Sequence, residues 1–146
     1  MLEILLDTSF ILPSLGIDTG EQTMLGLKKV NDYSGEVGIW CSRFSILEST
    51  WIGMKLEKQG NLNRILFERG IKSLYRGGRY LIIEEGPEIF TDAFKLASLG
   101  HRDMIDNLLY SISQRQDLKF LTLDAMFRDF LEKNGLGKNV ILPEEI

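Results

Sequence analysis

The hydrophobic pattern changes period several times along the chain, and each change marks an element. Residues 2–6, "LEILL", form a short, nearly continuous apolar run ending at Asp7, as a buried strand does. "FILPSLG" follows as a helix, with Thr8 or Ser9 as its cap. "GIDTGEQ" is a polar, glycine-bearing loop, and "EQTMLGLKKVNDY" returns to helical spacing. After the turn "SGE", the β-branched and aromatic "VGIWCS" predicts a second strand. A long helical pattern runs from Phe44 to Lys58, with Phe44, Leu47, Trp51, Met54 and Lys55 roughly along one face. "GNLN" breaks it, and "RILFERGIKSLYR" resumes as another helix.

The glycine-bounded "GGRYLIIEEG" predicts a third strand. Pro87 suits the first turn of a helix through "EIFTDAFKLASLG", which Gly100 closes. "HRDMIDNLLYSISQRQ" is helical, with Met104, Leu108 and Ile112 spaced for one face. "LKFLTL" is a fourth strand reaching Asp124, "AMFRDFLEKNG" a last helix stopped by Gly135, and "NVIL" a short fifth strand. Helices alternating with short strands predict an α/β domain built on a mostly parallel sheet. No repeat, low-complexity tract or linker interrupts residues 1–146, so one domain is expected. The Met and Phe stripes are assigned to the core, as are Trp40 and Trp51.

Composition narrows the chemistry. A 44% hydrophobic and 26% charged chain is ordinary for a globular domain, and a net charge of −4 gives no global field for nucleic acid. The single Cys41 makes neither an internal disulfide nor a Cys-rich zinc site, which predicts a reduced, cytoplasmic setting. The apolar start lacks a basic n-region and is interrupted by Glu3 and Asp7, unlike a signal peptide. No apolar stretch approaches the ~18 residues of a membrane span. One histidine, His101, leaves little room for histidine-based catalysis.

Four acids carry the remaining signal. Asp7 and Asp124 each follow a strand, and ligands of open α/β sheets bind beyond the carboxyl ends of the strands. Glu48 and Asp106 lie near the starts of helices among apolar neighbours. If those helix starts face the same edge, four carboxylates share one small cavity and raise one another's pKa unless a cation sits among them. An all-oxygen site selects a hard divalent ion such as Mg²⁺, which serves phosphodiester hydrolysis. Each acid also has a plainer role: Asp7 and Asp124 as helix caps, Glu48 as a solvated helix residue, and Asp106 as a competitor of Asp103 on nearly the same face.

Together these residues resemble the PIN domain family, metal-dependent ribonucleases that include the VapC toxins. "ILLDTSFIL" matches the opening strand with Asp7, Thr8 and Ser9, and "SILEST" matches the second motif with Glu48. "IDNLLYSIS" matches the third with Asp106 and with Ser113 at the small position; "FLTLDAMF" matches the fourth with Thr122 and Asp124. The separation of 18 residues between Asp106 and Asp124 is usual in the family and favours Asp106 over Asp103. The resemblance implies a three-layer α/β/α sandwich and hydrolysis of RNA. It implies Mg²⁺ or Mn²⁺ on Asp7, Asp106 and Asp124, with Glu48 completing the catalytic set. Ser9 or Thr122 would hydrogen-bond a carboxylate, water or substrate, and Asp103 would be a fifth acid. An antitoxin partner and a homodimer are expected on the same ground.

Two departures stand out: Leu123 replaces an arginine common in the fourth motif, and residues 57–100 are longer and more irregular than in compact toxins. "RGIKSLYRGGR" offers Arg69, Lys72, Arg76 and Arg79 around Tyr75, either as a nucleic-acid contact or as a solvated helix face. A dehalogenase-like phosphohydrolase needs an Asp where Ser9 stands, and a phospho-receiver needs an acidic pair that "EILLDTS" lacks. The rival of another class is a PIN-like binding module without catalysis.

Overall fold

Strand β1 (Leu2–Leu6) is the axis of the molecule, because its side chains alternate between two separate apolar cores. The computed structural model describes Met1–Ile146. Ile4 and Leu6 enter one core and Leu5 the other, as the two-residue period of a strand requires. A strand buried on both faces reads as a continuous apolar run, and "LEILL" does.

Parallel partners flank β1 on both sides: β2 (Val37–Cys41) and then β3 (Leu81–Ile82) on one, β4 (Lys119–Leu121) and then β5 (Val140–Ile141) on the other. Helices α1 (Thr8–Ile11), α2 (Glu21–Asn31), α3 (Arg43–Lys58) and α4 (Arg64–Arg76) supply the core shared with Ile4 and Leu6. Helices α5 (Glu88–Leu99), α6 (Met104–Arg115) and α7 (Ala125–Lys133) supply the core shared with Leu5. The result is a three-layer α/β/α sandwich on a wholly parallel five-stranded sheet. Chain order winds outward from β1 to β3, then jumps to the far side of β1 for β4 and β5. That reversal opens a crevice between the carboxyl ends of β1 and β4.

Several local expectations change. Asp7, not Thr8 or Ser9, caps α1, and "FILPSLG" splits into that short helix and a 3-10 turn, Leu12–Leu15, closed by Gly16 at φ 76°. Helix α6 starts at Met104 because the Asp103 side chain caps it, so "HRD" lies outside. The third and fifth strands shrink to two residues each at the sheet edges.

The largest correction concerns α3. Leu47, Trp51 and Met54 are exposed, and the buried face is Ser45, Ile46, Ser49 and Gly53. Small residues let this helix approach its neighbours closely: a Cβ on Gly53 would stand 2.8 Å from the Phe67 ring of α4. The methionines are likewise not core, since Met24, Met54, Met104 and Met126 are all exposed, as are Phe90 and Phe94. Phe10, Phe120 and Phe127 are buried as expected, and Trp40 is partly buried with its indole N–H donated to Glu3.

Gly70 sets the seat of α4. A Cβ there would collide with the Ser14 carbonyl oxygen and stand 2.9 Å from the Leu15 Cα, both backbone atoms with little freedom to move. Gly70→Ala is expected to cost about 1–3 kcal/mol by overpacking, seen as a lower thermal unfolding midpoint.

Candidate active site

The crevice between β1 and β4 is where the acids meet. Asp7 directly follows β1, and its backbone N–H still donates to the Leu121 carbonyl of β4 at 3.0 Å. Its Oδ1 accepts the Thr8 N–H at 2.7 Å, and its Oδ2 accepts the Thr122 hydroxyl at 2.7 Å. The Thr122 oxygen in turn accepts the Asp124 N–H at 3.1 Å. The amide therefore occupies an acceptor site of that hydroxyl while the hydroxyl proton points at Asp7. Asp124 caps α7 through the Phe127 N–H at 2.9 Å, and Asp103 caps α6 through the Asp106 N–H at 3.2 Å.

Capping and cavity lining are thus not alternatives here. A cavity of about 340 Å³ is walled by Asp7, Glu48, Asp103, Asp106 and Asp124, together with Thr8, Ser9, Leu12, Ile52 and Leu123. Both α6 and α7 aim their amino-terminal ends, with their partial positive charge, toward these acids. Ser9 reaches the cavity wall and offers its backbone carbonyl to the Thr19 hydroxyl at 3.3 Å. Thr122 lies behind the wall, fully buried, and touches the site through Asp7.

The charges disturb one another. Burial pushes the Asp7 carboxyl up to about 6 against the lowering effect of the Thr122 and Thr8 hydrogen bonds, and Glu48 and Asp124 push it the same way. Burial also pushes Asp106 up to about 8, with repulsion from Asp7, Asp103, Asp124 and Glu48 added. No three His, Cys, Asp or Glu side chains close on a point tightly enough to hold a metal ion outright. The donor set nonetheless fits a hard divalent cation. The cavity offers carboxylate oxygens without sulfur or imidazole, and Mg²⁺ takes only one or two carboxylates with water completing its shell. The Thr8 hydroxyl, in the cavity wall, is buried without a hydrogen-bond partner, as suits a site that receives a polar guest.

His101 is the residue that sequence patterning sets aside and the fold brings in. Its Nδ1 lies 2.9 Å from the Asn107 Oδ1, while the Asn107 amide nitrogen donates to the His101 carbonyl at 2.7 Å. That pairing assigns the amide oxygen to the ring, so Nδ1 carries a proton and Nε2 faces Asp106 Oδ2 at 3.9 Å. The ring packs against Phe127 and Phe130, with centroids 4.4 and 5.3 Å away. The one signal in the sequence is Asn107 itself, a polar residue in the buried run that follows Asp106.

No family model and no curated protein matches this sequence. Solved structures do match over almost the whole chain. VapBC2 from Rickettsia felis, bound to a DNA fragment from its promoter, superposes with a TM-score of 0.64 at 13% identity over 97% of each chain. A toxin–antitoxin complex from Klebsiella pneumoniae gives 0.62 at 17% identity, covering 98% of this chain and 99% of that one. VapC20 from Mycobacterium tuberculosis, described as a Sarcin-Ricin loop cleaving toxin, gives 0.62 at 14% identity, covering 91% of this chain and 95% of its own. At such identities the likeness is one of fold.

Proposed function

From a PIN-domain, VapC-like fold, we propose that this protein is a metal-dependent endoribonuclease that hydrolyses RNA phosphodiesters at its acidic cavity. The observation that carries the reading is the five carboxylates, drawn from four separate parts of the chain, around one cavity at the sheet's switch point. Structural ion clusters place cations among their acids; this cavity wall contains none. A group of acids lacking internal countercharge suits a cation brought from outside.

Asp7, Asp106 and Asp124 are the residues that would hold Mg²⁺ or Mn²⁺, with Glu48 in the same cavity wall. When bound, such an ion supplies positive charge to the phosphodiester oxygens and makes water more acidic. The chain's own part is positioning. Thr122 and the Thr8 N–H fix both oxygens of Asp7 in place, which orients the carboxylate toward the cavity. Asp103 and Asp124 anchor the starts of α6 and α7, so neither wall swings when charge enters. Glu48 and Ser9 are left to take a proton from water or to hold it in line with the phosphorus.

The partner we propose is an antitoxin polypeptide whose basic side chain enters the cavity and forms bidentate pairs with the acids. The names of the solved relatives support it. We also propose a homodimer. Exposed Leu47 and Trp51 on α3 continue through the edge contact of Phe44 with Phe90, at 5.8 Å, to exposed Phe94 on α5. That strip is an apolar face with nothing covering it in the monomer.

The test is cleavage of single-stranded RNA with and without Mn²⁺. The wild type is expected to cut only with the ion, and Asp106→Asn to lose about a hundredfold or more in rate. Binding of RNA with no Mn²⁺-dependent cutting would favour a binding module instead.

A further inference from the structure

Residues 64–79 carry five cations, Arg64, Arg69, Lys72, Arg76 and Arg79, against one acid, Glu68, in a chain whose net charge is −4. Two of these cations are already engaged. Arg64 pairs with Glu68 at 3.1 Å and Glu57 at 3.8 Å, and Arg79 donates to Asn31 at 2.6 Å and lies over the Tyr80 ring. Arg69, Lys72 and Arg76 have no carboxylate within ion-pair distance, and all three are exposed. Their spacing of three and four residues puts them in one row on α4, away from its buried Gly70 and Leu74. At a helical rise of about 1.5 Å per residue the row is ~10 Å long.

Helix α4 is held firmly against the turn that follows Asp7 and α1. Gly70 seats α4 directly on the backbone of Ser14 and Leu15, and Gly16 lies against Leu66. Between helix and turn runs a groove of about 330 Å³ lined by Pro13, Ser14, Leu66, Arg69 and Ser73. Leu12 lines the acidic cavity and the next residue, Pro13, lines this groove, so the turn joins the two, and Arg69 is the member of the row that reaches the groove. Five carboxylates repel a polyanion unless cations meet it nearby, and the row that starts with Arg69 at this groove supplies them.

We propose that Arg69, Lys72 and Arg76 form the phosphate-backbone track for single-stranded RNA, carrying the strand from the acidic cavity over the Leu12–Leu15 turn. The proposal rests on the ribonuclease reading for the identity of the strand. RNA is favoured over an acidic polypeptide because the row starts, at Arg69, in the groove that adjoins in sequence, at Pro13, a cavity suited to phosphodiester chemistry.

Binding is measured by anisotropy of a fluorescent single-stranded RNA of about 12 nucleotides, in EDTA, so that no cutting intervenes. The triple variant Arg69→Gln, Lys72→Gln, Arg76→Gln is expected to bind on the order of 10–100-fold more weakly near 0.1 M salt. The slope of log affinity against log salt should fall by roughly 2, at about 0.7 for each phosphate that is no longer neutralised. A control with equal charge loss on other faces, Lys119→Gln, Lys133→Gln, Lys138→Gln, should keep the wild-type slope. The triple variant should also hydrolyse bis(p-nitrophenyl) phosphate with Mn²⁺ at the wild-type rate, since that diester is too small to reach α4. An unchanged slope in the α4 variant overturns the proposal. So does an equal loss in the control, or displacement of the RNA by polyglutamate of the same length at comparable concentration. The ribonuclease reading is judged separately, by whether the wild type hydrolyses the small diester at all.

Discussion

Replacing Asp7 with asparagine is expected to make the metal-free protein more stable above pH 6 while removing the proposed hydrolytic activity. The two effects have one cause. In the fold the Asp7 carboxyl titrates at about 6 instead of 3.8, because burial and the neighbouring acids disfavour its charge. A raised folded-state pKa means that the favourable contribution is whole below pH ~4 and is lost as pH rises through ~6. At pH 8 the ionised side chain costs on the order of 3 kcal/mol, taking 1.36 kcal/mol per pKa unit. Asparagine carries no such cost. It still accepts one hydrogen bond but cannot accept both the Thr8 N–H and the Thr122 hydroxyl as the carboxylate does, an offset of about 1 kcal/mol. The net gain of about 1–2 kcal/mol raises the thermal midpoint by a few degrees at pH 8 and vanishes between about pH 4 and pH 5. Cleavage of RNA with Mn²⁺ should fall roughly a thousandfold, as the loss of a charged group at the reacting centre does. If Asp7 served only as a helix cap, asparagine, an equally good cap, would leave stability nearly unchanged at every pH and keep whatever activity exists.

The second large effect is a link between pH, metal and stability in the unaltered protein. In EDTA, the unfolding midpoint is expected to decline from pH 5 to pH 8.5, as Asp7 ionises near 6 and Asp106 near 8. Both values lie above those of the unfolded chain, so ionisation destabilises the fold throughout that window. Mn²⁺ at a hundred times its dissociation constant should restore about 2.7 kcal/mol at pH 8. At pH 5, where protons compete for the same oxygens, the ion should restore little. Asp106→Asn should flatten the pH dependence and the Mn²⁺ response together. Differential scanning fluorimetry at the two pH values, with EDTA and with Mn²⁺, reads all of this. Equal Mn²⁺ shifts at pH 5 and pH 8, or an unchanged response in Asp106→Asn, would detach the cation from these acids.

The parts of the molecule legible in the sequence are those where a buried strand imposes its own grammar. "LEILL" before Asp7 and "LKFLTL" before Asp124 mark the two central strands, and their carboxyl ends open the crevice. The packing of α3 was hidden because its buried side is small and polar. Ser45, Ser49 and Gly53 allow close approach, while the bulky Leu47, Trp51 and Met54 that dominate a hydrophobic pattern face outward. Asp103 and Asp106 could not be separated by periodicity, and the fold gives them different tasks: one carboxylate caps α6, and the other stands in its first turn. His101 left no periodic trace, since Asn107 and two aromatic rings that only the folded chain assembles hold its ring against Asp106.

Oxygens from distant parts of the chain are expected to share a divalent ion in the cavity between β1 and β4. Crystals equilibrated with Mn²⁺ at pH 8, with data collected for anomalous scattering from manganese, address it directly. The expected result is a peak in the cavity within direct coordination distance of oxygens of Asp7 and of Asp106 or Asp124. A cavity without a peak at saturating Mn²⁺, or a peak held by other residues, would contradict the account.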